Sequence, residues 1–212
     1  MFQKSQNSDY LKVIIKRAKA EYLTWVEQFL DIIEANIDLK RQNTINDIGC
    51  NVGQFWKGLA RRKLKIKYRG FDIEPVYLKA AKSIFPEAKN CFYLVDIARK
   101  VPPRADISVV SATLEHLEFL FPGLDHILKS TTKLLLLRTF LAEYRDKTIF
   151  IKKNAKTYYY INAYSFSEIA EYLEKYGFKT EIVRDRYTDS LPKYLGQKIV
   201  RTQYVVIGRK NE

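Results

Sequence analysis

Between residues 44 and 140, short apolar runs alternate with segments of helical periodicity, and this alternation limits the possible folds more than any other feature. Residues 44–48, 66–71, 91–95, 107–110 and 134–140 read as strands. The segments 55–62, 76–84 and 117–128 read as helices, the second ended before Pro86 and the third interrupted by Pro122 and Gly123. Strands joined through helices pair in parallel by right-handed crossovers, which puts helices on both faces of one sheet. Upstream, Leu11, Ile14, Ala18, Val26, Phe29 and Ile33 recur at helical spacing and predict one long N-terminal helix. Downstream, residues 165–176 predict a helix with Ser165 or Ser167 as N-cap and Gly177 as its stop. Two β-rich runs follow, 179–184 and 199–207, expected to form a long hairpin. The expected fold class is α/β: a three-layer αβα sandwich around a mostly parallel seven-stranded sheet that ends in an antiparallel hairpin, plus an N-terminal helix.

A length of 212 residues fits one domain, expected to span 1–212 with a helical cap over 1–40 and an insertion over 142–162. Hydrophobic residues make up 47%, which excludes a disordered chain. The longest aliphatic run is Leu134 to Leu137, far short of the roughly 18 residues of a membrane span. Two cysteines, Cys50 and Cys91, cannot build a disulfide framework, and the expectation is a cytoplasmic protein. Thirty-seven Lys and Arg against 24 Asp and Glu leave a net charge of +13. That excess suits anionic partners such as nucleic acid, phosphorylated metabolites or an acidic membrane surface. A compositional habit explains it equally well, because the charge is spread along the chain. The pattern leaves the oligomeric state open.

The stretch that carries chemistry is Asp47-Ile48-Gly49-Cys50-Asn51-Val52-Gly53, placed after the first strand and before a helix. In a parallel sheet, ligands bind beyond the carboxyl ends of the strands. Gly49 lets the backbone turn tightly against a ligand, and Gly53 opens the helix close to the sheet. Asp47 can accept hydrogen bonds from a ligand ammonium or from loop amides. Asp72 ends the second strand, where a carboxylate can take both hydroxyls of a ribose. Asp96 ends the third, where it can accept from an exocyclic amine. Three acids at successive strand ends around one glycine turn describe a site for a nucleoside that carries an additional cation.

This set resembles the class I S-adenosylmethionine-dependent methyltransferases, over most of the chain. Motif I of that family is similar to Asp47-x-Gly49-x-x-x-Gly53, the ribose acid to Asp72 and the adenine-side acid to Asp96. The segment Ser111-Ala112-Thr113-Leu114-Glu115-His116-Leu117 resembles the family's stretch near the methyl group, and residues 164–178 its helix-then-Gly-Phe pattern. One departure stands out: the usual central glycine is Asn51 here, a residue that tolerates positive φ. The resemblance implies S-adenosyl-L-methionine as cofactor and S-adenosyl-L-homocysteine as product. It implies cofactor contacts at Asp47, Gly49, Cys50, Asn51, Gly53, Asp72, Ile73, Asp96, Ile97 and Ser111. Within that reading, the compact chain and the aromatic insertion favour transfer to a small, anionic or glycosyl biosynthetic metabolite, with an oxygen acceptor favoured. RNA methylation and a cofactor-binding but silent partner subunit are the alternatives.

His116 is the candidate general base because a histidine titrates near neutrality, with neighbouring Glu115 as the other candidate polar contact. Arg138, Tyr158 and Tyr160 are the candidate substrate contacts, the tyrosines from an insertion that interleaves them with Arg145, Lys147, Lys152, Lys153 and Lys156. An amphipathic β-excursion would read the same way. A nicotinamide dinucleotide is disfavoured, since its fingerprint needs glycine where Asn51 and Gln54 stand. No Walker loop occurs, and no Cys, His and carboxylate cluster has metal-site spacing. Cys50 has no histidine near it in sequence and suits the turn as a small residue. His126 reads as a surface helix residue.

Overall fold

The computed structural model describes residues 8–151 and 158–210. Five parallel strands come first: β1 (Asn43–Ile48), β2 (Ile66–Asp72), β3 (Phe92–Leu94), β4 (Ala105–Ser111) and β5 (Thr131–Ala142). Two antiparallel strands, β9 (Phe178–Arg184) and β12 (Gln203–Lys210), complete the sheet in the order β3-β2-β1-β4-β5-β12-β9. The expected seven strands are therefore present, with a two-residue eighth, β8 (Tyr164–Ser165), paired in parallel with the end of β5. The chain reverses its direction of winding at β1, which lies between β2 and β4. Their carboxyl ends enclose the crevice where open α/β sheets bind ligands.

Burial on both faces explains the uninterrupted apolar run in β5. Leu134 and Leu136 pack on one face with α2 (Thr24–Asn36), α3 (Gln54–Arg61) and α4 (Pro75–Ile84). Leu135 and Leu137 pack on the other with α5 (Gly123–Ser130) and α6 (Phe166–Lys175). Ser165 caps α6 by accepting from the Glu168 amide at 2.9 Å, and Gly177, at φ 79°, ends it as expected.

Three local expectations change. The N-terminal periodicity belongs to two helices, α1 (Ser8–Ala20) and α2, because the chain breaks at residues 21–23. Lys57 Nζ donates to the Lys19 and Glu21 carbonyls at 2.9 and 3.2 Å, and the Tyr22 ring takes Lys57 and Arg61 on its faces. Those contacts satisfy carbonyls that a continuous helix would have used itself. Second, Pro122 stands at the start of α5 instead of interrupting a longer helix, where a missing amide costs nothing. Third, the run 199–207 is split at Thr202: β11 (Ile199–Arg201) pairs with β10 (Lys193–Gly196), and only β12 joins β9. The insertion forms a small hairpin of β6 (Ile149–Ile151) and β7 (Tyr158–Tyr160). Its residues Lys152, Lys153 and Lys156 lie outside the described residues.

Candidate functional site

The turn after β1 is built from backbone. The Gly49 and Cys50 amides both donate to the Phe71 carbonyl, at 2.8 and 2.9 Å, which folds the chain back toward β2. Gly49 (φ 74°), Asn51 (φ 51°) and Gly53 (φ 83°) all adopt the left-handed region, so Asn51 keeps the turn the family's glycine would make. A side chain at Gly49 would have no room, since its Cβ would stand 2.0 Å from Thr113 Oγ1.

Asp72 is fixed at the end of β2 by two amides, Asn51 N at 2.8 Å and Glu74 N at 2.9 Å. Asp47 is buried at the end of β1 and accepts from the Tyr68 hydroxyl at 2.7 Å. Burial pushes the Asp47 carboxyl up to about 7 against the Tyr68 bond, and the nearby charge of Asp72 adds to the rise. Burial likewise pushes Asp72 up to about 6, against its two amide bonds. Neither acid has a cationic partner among the described residues. Two buried carboxyls without a counter-charge, facing a cavity, fit a ligand that carries positive charge and hydrogen-bond donors.

These shifts carry a stability prediction. The unfolded carboxyls titrate near 3.9. Folded values above that favour the protonated form, so their contribution is complete below pH ~4 and is lost as pH rises through about 6 and 7. The melting temperature of the ligand-free protein is expected to fall between pH 5 and 8, by less in Asp47→Asn. An equal fall in both proteins would assign the response to other groups.

Asp96 accepts from the Ala98 amide at 2.9 Å and meets exposed Arg99 at 3.3 Å. The Ile97 carbonyl takes His126 Nδ1 at 2.7 Å, so His126 pins the loop that carries Asp96 and Ile97. Its role depended on a loop 29 residues away and left no sequence signal. Ser111, Ala112 and Thr113 leave β4 toward the same cavity, whose volume is about 310 Å³, within the range of small-molecule sites. All ten residues expected to contact a cofactor come together here except Gly53, which is not on the wall but starts α3 beneath it.

The remaining candidates divide. His116 lines the cavity, and its Nδ1 lies 2.7 Å from the Tyr160 carbonyl. A carbonyl only accepts, so Nδ1 carries the hydrogen and Nε2 is the basic nitrogen of the neutral ring. Glu115 is not on the wall: it is buried and accepts from Thr139 Oγ1 at 3.1 Å. Arg138 lines the cavity, yet its fork is used by Asp185, at 2.8 and 3.0 Å, and by Gln203 at 2.5 Å. Tyr158 and Tyr160 lie off the wall. Tyr160 reaches the site through its carbonyl, while its ring lies under Lys147 at 5.2 Å.

Sequence reasoning expected a helical cap over 1–40 but assigned no cofactor or substrate contact to it. Tyr10, Ile14 and Arg17 of α1 line the cavity with Trp25 of α2, Tyr77 of α4 and Tyr187 beyond β9. Trp25 stacks with Phe55, a second wall residue, at 6.3 Å between ring centres. The Tyr77 hydroxyl is buried there with no hydrogen-bond partner among the described residues.

No family model and no curated protein matches the chain. Solved structures do. An S-adenosylmethionine-dependent methyltransferase from Clostridium acetobutylicum aligns over 96% of this chain and 99% of its own, with 10% identity and a TM-score of 0.64. The N-terminal domain of EvdMO1 with S-adenosylhomocysteine bound aligns over 88% of this chain and 81% of its own, at 15% identity and a TM-score of 0.63. A TehB-like methyltransferase from Corynebacterium glutamicum aligns over 98% and 99%, at 17% identity and a TM-score of 0.62. The chain thus has the α/β fold that these S-adenosylmethionine-dependent methyltransferases share.

Proposed function

We propose that the protein is an S-adenosylmethionine-dependent methyltransferase acting on a small, anionic or glycosyl metabolite, at an oxygen atom. The observation that carries this reading is the pair of buried, uncompensated acids, Asp47 and Asp72, around a left-handed turn at the reversal of the sheet. In this reading Asp72 holds the ribose hydroxyls, Asp96 the adenine amine and Asp47 the ammonium of the amino-acid tail. When bound, the cofactor supplies a methyl group made electrophilic by its sulfonium. The helices of segment 1–40 act as a cap that excludes water, and 142–162 as a rim insertion of the same single domain. Holding two reactants in line can contribute roughly 7–11 kcal/mol. His116 Nε2 takes the proton of a hydroxyl acceptor, with the ring oriented by the Tyr160 carbonyl from the insertion. The two free cysteines support a cytoplasmic location.

The net charge of +13 favours a second reading, RNA methylation. Incubation with methyl-labelled donor, bulk RNA and pools of hydroxylated, carboxylated and glycosylated metabolites separates the two. Label is expected in a small molecule, and His116→Gln is expected to lower kcat about 100-fold at unchanged S-adenosylhomocysteine affinity. Label in RNA alone would favour the second reading. Cofactor binding without any transfer would indicate a silent subunit.

A further inference from the structure

α1 lies across the cavity and is held there at both flanks. Ile14 and Ala18 are buried against Val52 of the glycine turn and Tyr77 of α4, and Lys57 of α3 anchors the end of the helix. Tyr10, Ile14 and Arg17, spaced i, i+4 and i+7, present one face to the cavity. The charges on the wall are unequal: four acids, Asp47, Asp72, Glu74 and Asp96, against two guanidinium groups, Arg17 and Arg138. The charge of Arg138 is matched by Asp185, its Nε and Nη2 donate to Asp185 and Gln203, and its Nη1 lies 3.5 Å from Ser111 Oγ. Arg17 is exposed, and its side chain makes no ion pair or hydrogen bond to the described residues.

The amino-acid tail of the proposed cofactor brings a carboxylate as well as an ammonium. A carboxylate entering a cavity with an excess of acids is opposed by those that are ionised unless a cation accompanies it. An arginine is the suitable group, because its planar fork takes both oxygens. We propose that Arg17 binds the carboxylate of the cofactor's amino-acid tail, so that α1 serves as a charged wall of the donor site as well as a cover. This assignment rests on the methyltransferase reading.

Two ligands separate it from a structural role. S-adenosylhomocysteine carries the amino-acid tail, and methylthioadenosine keeps the adenosine and sulfur but lacks it. In calorimetric titrations, Arg17→Gln is expected to weaken S-adenosylhomocysteine about 10- to 100-fold, the loss of a hydrogen-bonded charge pair. Methylthioadenosine should bind both proteins within about twofold, and Arg17→Lys should recover part of the loss because it restores the charge without the fork. Equal weakening of both ligands would overturn the assignment in favour of a general effect on α1. Unchanged S-adenosylhomocysteine affinity would overturn it outright. A wild type that binds neither ligand contradicts the donor reading itself, an outcome distinct from either of these.

Discussion

Asp72→Ala is expected to reduce S-adenosylhomocysteine affinity by at least about 100-fold while the protein stays folded. Two roles converge on this carboxylate. It holds the Asn51 amide at 2.8 Å and the Glu74 amide at 2.9 Å, so it ties the glycine turn to the end of β2. In the proposed complex it also accepts from the ribose. A hydrogen bond to a charged group is worth about 1.5–3 kcal/mol, and each 1.4 kcal/mol is tenfold in affinity. Two such bonds reach 100-fold without counting the loosened turn. Asp72→Asn keeps the shape and loses the charge, and its affinity should fall between the two. Titration calorimetry measures the loss, and circular dichroism checks the fold. An Asp72→Ala protein with wild-type affinity would remove this carboxylate from the site.

The largest effect on stability is expected at Arg138 and Asp185. Asp185 is fully buried, Arg138 is 5% exposed, and two bonds of 2.8 and 3.0 Å join them. The Thr188 hydroxyl and amide also donate to Asp185, at 2.7 and 3.1 Å. Burial alone would raise the Asp185 carboxyl; Arg138 overcomes it and holds the group below its ordinary value. Its stabilisation is therefore present above the unfolded value near 3.9 and is lost as pH falls through the lower folded one. Arg138→Leu leaves a buried charge without a partner, at a cost of about 3–5 kcal/mol. At about 2–4 °C per kcal/mol for a domain of this size, thermal unfolding should shift down by about 6–20 °C. The double variant Arg138→Leu, Asp185→Leu should recover much of that loss, since removing both charges removes the unpaired one. A double variant as unstable as the sum of its parts would contradict an ion-pair account.

The same pair shows where sequence reading stops. Arg138 at the end of β5 had the position and the charge of a substrate contact. Its partners lie 47 and 65 residues onward, on a loop after β9 and at the start of β12, and no spacing rule connects those segments. Glu115 and His116 are adjacent in sequence, yet one is buried against Thr139 and the other lines the cavity, because the short helical turn of residues 114–116 points neighbours in different directions. Tyr160 contributes a carbonyl, which any residue has, so its side chain carried no signal. The strands and the Asp47 to Gly53 turn were legible for the opposite reason: apolar burial on two faces and left-handed backbone both restrict residue type locally. The two N-terminal helices were half legible. The apolar stripe of α1 and α2 is continuous, while the break between them rests on Lys57 of another helix.

A crystal structure of the protein grown with S-adenosylhomocysteine tests the central claim most directly. The account predicts the adenosine beyond the carboxyl ends of β1, β2 and β3, with both ribose hydroxyls on Asp72 and the amino-acid tail over the Gly49 turn. Density for the ligand elsewhere, or none at saturating concentration, would contradict it.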